Sequence, residues 1–199
     1  IDIKTLPKLY YSYNNKELDL KEIQYLLKSA SQTEDIKFNK KLKVMSSLIT
    51  KESKKEFAKA FYSRWDKQNK TRWFLNMIVH FGDDDNIEEI KKDIDDFIKA
   101  KRYLVAANIV EAISLLNTKK AFQTVDYSQY KAKSGMVKKR AIEAINKAII
   151  ELGITKDDFL DNLIQNYGFD SNGEYFVNYD DKKYIIKTDL NLNLKIKDE

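Results

Sequence analysis

Three stretches of this chain carry residue types that could do chemistry, and each has to be weighed against the helix or turn that holds it. Asp83-Asp84-Asp85 with Glu88 and Glu89 offers carboxylates at the density of a divalent-cation site. The spacing departs from a calcium loop, because Ile87 stands where a ligand is needed. Acids in the first turn of a helix interact favourably with its dipole, which accounts for the cluster without a metal. Asp170-Ser171-Asn172-Gly173-Glu174 also lines up oxygen donors, and reads as a tight turn that needs glycine at positive φ. His80, the single histidine, ends an apolar segment beside Phe81 with no serine or carboxylate pattern for a triad. A buried imidazole with one backbone partner is the expectation there.

The basic stretch is the strongest candidate for binding. Between Asn117 and Arg140 stand Lys119, Lys120, Lys131, Lys133, Lys138, Lys139 and Arg140 against Asp126 alone. Seven cations against one acid give +6 in a chain whose total is +5, so the net charge is concentrated here. A concentrated charge matters more for anion binding than the total does. Tyr127 and Tyr130 are interleaved and offer stacking faces for bases. The candidate anion- or partner-binding residues are therefore Lys131, Lys133, Lys138, Lys139, Arg140, Tyr127 and Tyr130. The competing reading is a solvated connector between helices.

Composition limits the rest. The absence of cysteine excludes disulfides, thiolate metal sites and cysteine nucleophiles, and one histidine excludes a two-histidine zinc motif. No cofactor and no metal are expected. Hydrophobic residues at 43% support a packed core, and five glycines with one proline favour long helices. No apolar run approaches the roughly 20 residues of a membrane span, and no signal peptide is visible. The expectation is a cytoplasmic chain, not membrane-bound, that forms part of a longer protein because it opens at Ile1.

The elements that must position these residues read in order as follows. Leu9, Tyr11 and Tyr13 alternate before Asn14-Asn15-Lys16, a short strand and turn. Asp19 with Glu22 caps a helix through Ile23, Leu26 and Ala30, and a second runs through Leu42, Met45, Leu48 and Ile49. Ser53 with Glu56 reads as a capping box before Phe57 and Phe61. Thr71–Phe81 and Tyr103–Leu116 are apolar nearly all round, with Asn108, Glu111 and Ser114 the only polar stripe of the latter. Such helices need neighbours on both sides. Gly82 stops the first as a C′ residue. A helix with acids at its head and Lys99, Lys101 and Arg102 after its tail separates the two. Thr118 caps the next, and Met136–Leu152 is a long amphipathic helix whose Lys139, Glu143, Lys147 and Glu151 form a ladder on its exposed side. Gly153 ends it, and Thr155 with Asp158 caps another, with Ile154 and Phe159 spaced as a hydrophobic staple. From Tyr167 the period changes to two. Tyr175, Val177 and Tyr179, then Tyr184, Ile186 and Thr188, then Leu190, Leu192, Leu194 and Ile196 alternate as three strands. These strands are expected to lean their apolar face on the last helix.

Trp73-Phe74-Leu75 running to Phe81-Gly82-Asp83-Asp84, Val137–Ala141 running to Glu151–Thr155, and Asp158–Leu163 with Tyr167-Gly168-Phe169-Asp170 and Asn172-Gly173 carry a family resemblance. In these stretches the chain resembles a large bacterial family that includes molybdate metabolism regulator-like proteins, often associated with a WGR domain. The likeness covers most of the chain, is strongest from Trp73 onward, and departs from the family in being rich in lysine and asparagine. It implies HEAT-like repeats and brings no catalytic residues. The expected fold is mainly α, a HEAT-like α-solenoid of stacked antiparallel helix pairs with a small C-terminal antiparallel β-meander. Its divisions are a lead-in over 1–18, a helical array over 19–166 and the meander over 167–199. The expected function is a non-catalytic scaffold or interaction module, whose partner is another protein or other domains of the parent chain. A nucleic-acid-binding module using the 117–140 stretch is the alternative. A HEAT-type DNA glycosylase is the remote one: Arg64, Trp65, Asp66, Arg72 and Trp73 are the residue types such enzymes use to hold a damaged nucleotide. Trp65 continues the Phe57 and Phe61 stripe and Trp73 opens an apolar helix, so both read as core.

Overall fold

The computed structural model describes residues 2–32, 35–65, 69–163, 174–179, 182–188 and 193–198. The chain divides into two units, Ile1–Leu163 and Ile164–Glu199. It is mainly helical, with a small antiparallel sheet at the C-terminus.

The described residues of the first unit form nine α-helices: α1 (Leu20–Ala30), α2 (Lys40–Ser47), α3 (Lys51–Arg64), α4 (Leu75–Phe81), α5 (Asp84–Lys99), α6 (Tyr103–Ser114), α7 (Lys119–Lys131), α8 (Gly135–Leu152) and α9 (Lys156–Leu163). Most boundaries follow local chemistry. Asp19 and Glu22 form the expected capping box, Thr118 caps α7, and Thr155 and Asp158 exchange hydrogen bonds at the start of α9. Asp83 caps α5 in a box completed by Asn86, so the acidic cluster is a helix start.

Several boundaries differ from the sequence reading: α2 stops at Ser47, before Leu48 and Ile49, and α6 stops at Ser114, before Leu116. Helix α3 begins at Lys51, not at Ser53: Thr50 is its N-cap and makes no side-chain cap bond. Ser53 instead sits buried inside the first turn, bonded to Thr50 and accepting from the Tyr10 amide. The expected helix over 71–81 is a 3-10 segment over Asn69–Phe74 followed by α4, with Thr71 outside helical geometry. The aromatic cluster makes that break tolerable: Trp73 packs on Phe74 (centroids 4.5 Å apart), and both meet Phe61 of α3.

Helix packing follows two rows. Along one, α3 packs on α5, α5 on α7 and α7 on α9; along the other, α4 packs on α6 and α6 on α8. The rows are joined by α3 on α4, α5 on α6 and α7 on α8. Every residue of α4 is buried, as are Val105–Val110 and Ala112–Ser114 of α6. That enclosure is what two nearly all-apolar helices require, since a face left in water forfeits about 25 cal/mol per Å² of apolar surface. Lysines of α3 meet the acids of α5 and its N-cap in register: Lys51 with Asp83, Lys55 with Asp85, and Lys59 with Glu89. Lys120 of α7 reaches Glu88. Before α1, Tyr10 bridges to Glu17 and Tyr11 to Ile49, so the expected strand and turn is a small hairpin-like loop with Asn15 at positive φ.

In the second unit, β1 (Glu174–Tyr179), β2 (Lys182–Thr188) and β3 (Leu194–Asp198) form an antiparallel sheet in that order. Tyr175 pairs with Ile186 and Ile186 with Ile196, so one face carries a continuous apolar row. The turn expected at Asp170–Gly173 and the strand start at Leu190 and Leu192 lie outside the described residues.

The glycines have different jobs. Gly82 closes α4 with extended, not left-handed, backbone, and a Cβ there would lie 2.7 Å from the Ile78 carbonyl oxygen. Gly153 takes φ +66 to end α8, and a Cβ on Gly135 would meet nothing within 4 Å. Urea denaturation should therefore rank three alanine variants. Gly82→Ala should cost about 1–3 kcal/mol through overpacking, and Gly153→Ala about 1–2 kcal/mol through left-handed strain. Gly135→Ala should be neutral or stabilising by up to about 1 kcal/mol.

Candidate functional site

Five of the seven cations of the basic stretch lie at the junction of α7 and α8, while Lys119 and Lys120 stand at the other end of α7. Tyr127, Tyr130 and Lys131 occupy the end of α7, Lys133 the connector, and Lys138, Lys139 and Arg140 the start of α8. Tyr130 is 65% exposed, and Tyr127 carries the Lys91 ammonium 5.2 Å from its ring centre. The cations are not equivalent. Arg140 is held by Glu111 at 2.6 Å and by Glu143 at 3.6 Å, and Lys139 lies 3.9 Å from Glu143. Among the described residues, Lys131, Lys133 and Lys138 make no ion pair. Ser134 caps α8 by accepting from the Val137 amide.

Arg140 therefore belongs to a second set of residues, on the row α4–α6–α8. Its centre is Glu111 of α6, only 13% exposed in its side chain, which accepts from Arg140 through one oxygen and from Lys147 at 2.9 Å through the other. A carboxylate so enclosed needs both cations, because an unpaired buried charge costs several kcal/mol. Lys147 also approaches Glu151 at 3.8 Å and donates to the Ile36 carbonyl. Lys147 and Glu151 are thus half-buried, which corrects the reading of an exposed ladder: only Lys139 and Glu143 stay in solvent, because the other half of the face turns toward Glu111 and residues 36–38. A cavity of about 170 Å³ opens among Glu111, Arg140, Glu143, Ala144 and Lys147.

The segment from Asp35 to Asn39 runs across this row. Asn76 of α4 donates to the Asp35 carbonyl at 3.2 Å and accepts from the Lys37 amide at 3.0 Å. Glu151 of α8 accepts from the Phe38 amide at 2.8 Å, and His80 Nε2 of α4 accepts from the Asn39 amide at 3.2 Å. A cleft of about 280 Å³ lies alongside, lined in part by Ser29, Gln32, Lys40, Asn76 and His80. His80 is 2% exposed, packs 5.6 Å from the Phe38 ring, and has the single backbone partner expected of it. Burial pushes its pKa down to about 4, the Lys43 ammonium adds to the effect, and the Lys37 backbone opposes it weakly. It is therefore neutral at pH 7, as an acceptor must be.

Sequence reasoning passed over Asn76, Glu111, Lys147 and Glu151 as a set. The available signal was Asn76 and His80 four apart on an otherwise apolar helix, and Glu111 alone on another. A polar residue on an enclosed helix must find a partner inside. The other candidates resolve as packing. Trp65 is buried against Tyr62, and Trp73 packs on Phe61 and Phe74. Arg64 donates to the carbonyls of Ala60 and Thr5, Arg72 meets Asp35, and Asp66 lies outside the described residues. Among the described residues no group of three potential ligands could hold a metal, and no helix is long and apolar enough to cross a membrane. No family model, curated protein or solved structure matches the chain.

The depressed His80 pKa has a stability consequence with a definite sign. Between pH 6.5 and 4 the unfolded chain binds a proton that the folded chain refuses, so stability falls as pH drops through that window and levels off below it. From pH 7 to pH 5 the loss attributable to this group is about 2 kcal/mol. Urea titrations of the native protein and His80→Gln, which keeps an acceptor without the titration, should diverge by that amount; parallel curves would show that burial does not hold His80 neutral.

Proposed function

We propose that the first unit is a non-catalytic, cytoplasmic interaction module of HEAT-like type, in which consecutive antiparallel helix pairs stack as a solenoid and α4, α6 and α8 form the partner-facing row. The observation that supports it is the neighbour pattern: α3/α4, α5/α6 and α7/α8 pair, and each pair meets the next along both rows. A stack built this way presents one side chain set per repeat to a partner, so recognition spreads along a surface instead of converging on a pocket. Along this row, the inner row of the stack, stand Asn76 and His80, covered by residues 35–39, then the half-buried Glu111, then Arg140, Glu143, Lys147 and Glu151 of α8. The resemblance to a molybdate regulator-like family agrees with this reading, and another protein or another domain of the parent chain is the partner it implies.

A photo-crosslinking side chain separates this from an inert array. Placed at exposed Glu143 on the inner row, it should give adducts of defined mass in the cells that make the protein. Placed at exposed Lys92 on α5, in the other row, it should give none. Adducts from Lys92 alone, or from neither, would overturn the assignment.

A second reading, a nucleic-acid-binding module, is favoured by exposed Lys131 and Lys133 and half-buried Lys138 at the same helix junction as exposed Tyr130, without ion pairs among the described residues. Fluorescence anisotropy with labelled single-stranded DNA and RNA decides it. On this reading affinity falls at least tenfold between about 50 and 200 mM salt, and at least tenfold again, about 1.4 kcal/mol, when Lys131, Lys133, Lys138 and Lys139 become glutamate. No binding at either salt leaves the stretch a solvated connector.

A further inference from the structure

The way Asp35–Asn39 is held points to a specific kind of partner. Five consecutive residues each offer one main-chain group, and every one is met by a side chain of the inner row: the Asp35 carbonyl by Asn76, the Ile36 carbonyl by Lys147, the Lys37 amide by Asn76, the Phe38 amide by Glu151 and the Asn39 amide by His80. Contacts to main chain do not read sequence; they give affinity to any extended segment that fits, while alternate side chains give selectivity. The alternation is present. Ile36 is 1% exposed and Phe38 is half-buried against His80, whereas Asp35 lies mostly in solvent and bridges to the exposed Lys37 ammonium at 3.6 Å. The grip is also built from groups that must be spoken for. Asn76 and His80 are buried polar side chains on an enclosed helix, and Lys147 is already ordered by Glu111.

We propose that the face of α4 and α8 on either side of Glu111 is a groove for an extended peptide, occupied in cis by Ile36–Asn39. The partner it fits is a protein segment with an aliphatic residue, any residue, then an aromatic one, lying where Ile36, Lys37 and Phe38 now lie. This rests on the reading of α4, α6 and α8 as the partner-facing row and names the ligand class of that row. The chain's own segment acts as a competitor, so the groove is read only by a partner present at high local concentration or able to shift the segment aside.

The probe is a labelled peptide of residues 35–40, with blocked ends, titrated into two forms of the full chain. Ile36→Ser with Phe38→Ser weakens the internal segment, and this chain should bind the peptide at least tenfold more tightly than the unaltered chain. Adding Asn76→Leu or Lys147→Met should lower that affinity at least tenfold, and a peptide with serine in place of its isoleucine and phenylalanine should not bind. Absence of peptide binding by a serine variant that keeps its helical circular dichroism overturns the proposal, as does binding indifferent to Asn76 and Lys147. If the serine variant does not fold, amide hydrogen exchange on the unaltered chain decides: the Lys37, Phe38 and Asn39 amides should exchange at least tenfold faster than those of Val79 and Ile109. Equal protection makes the segment ordinary core and ends the proposal. Failure of the peptide with Glu143 adducts retained removes the groove alone; loss of those adducts removes the partner-facing row itself.

Discussion

Two helices sealed inside a protein must settle their polar groups there, and this single constraint organises the first unit. Helices α4 and α6 are apolar enough to be enclosed, yet they carry Asn76, His80 and Glu111. Asn76 and His80 are buried and Glu111 is only 13% exposed in its side chain, so each draws a partner from another element. Helix α8 supplies Arg140 and Lys147 to Glu111, and the segment before α2 supplies main-chain groups to Asn76 and His80. The result fixes the N-terminal part of the unit onto helices more than a hundred residues away in sequence. Hydrophobic burial supplies most of the stabilisation, but it is not directional. The polar groups add direction, since each of these bonds joins one named segment to one helix.

Charge is distributed by the same logic. The row α3–α5–α7 is stitched by lysine–acid pairs that stand largely in water, worth little individually. The row α4–α6–α8 has a carboxylate with two cations in a half-closed setting, where loss of one partner would leave the others uncompensated. That difference redraws the basic stretch. Arg140 is held by Glu111 and Lys120 faces Glu88, so the part that still presents positive charge narrows to Lys119 at the start of α7 and the α7–α8 junction. Net charge along a sequence overstates what a folded surface shows, because pairing happens between segments that sequence position does not connect.

Signals that act within one turn of chain were legible. Asp19 with Glu22, Thr118, and Thr155 with Asp158 all cap where side-chain reach requires, and Gly153 ends α8 in left-handed geometry. The alternating strands emerge at 174–179, 182–188 and 194–198, since period two is a property of the backbone itself. Ser53 misled because a serine three before a glutamate is also compatible with a serine buried in the first turn, and the Tyr10 amide from the lead-in claimed it. The 3-10 segment at 69–74 was hidden because apolar composition reports burial and not the hydrogen-bond pattern; the aromatic contacts among Phe61, Trp73 and Phe74 set the backbone there. Half of the candidate site was invisible for a deeper reason. Main-chain groups of Asp35–Asn39 carry no sequence signature, so nothing in the residue types announces that Asn76, Lys147 and Glu151 will meet them.

The shared partners make these features interdependent. Lys147 serves Glu111, Glu151 and the Ile36 carbonyl at once, and Glu151 serves the Phe38 amide. Groups in one network are not additive, because removing one changes what remains for the others. If the segment leaves, Lys147 loses its carbonyl and Glu151 its amide, and the natural repair is a tighter Lys147–Glu151 pair within α8. Glu111 is shared in turn with Arg140, whose other partner is Glu143 on the exposed edge. The segment at residues 35–39 and the edge of α8 next to the basic junction thus share one network, running from the Ile36 carbonyl through Lys147 and Glu111 to Arg140 and Glu143. A state change at residues 35–39 would be felt first at Arg140 and Glu143, and weakly on the α3–α5–α7 row, whose exposed pairs share no member with this network.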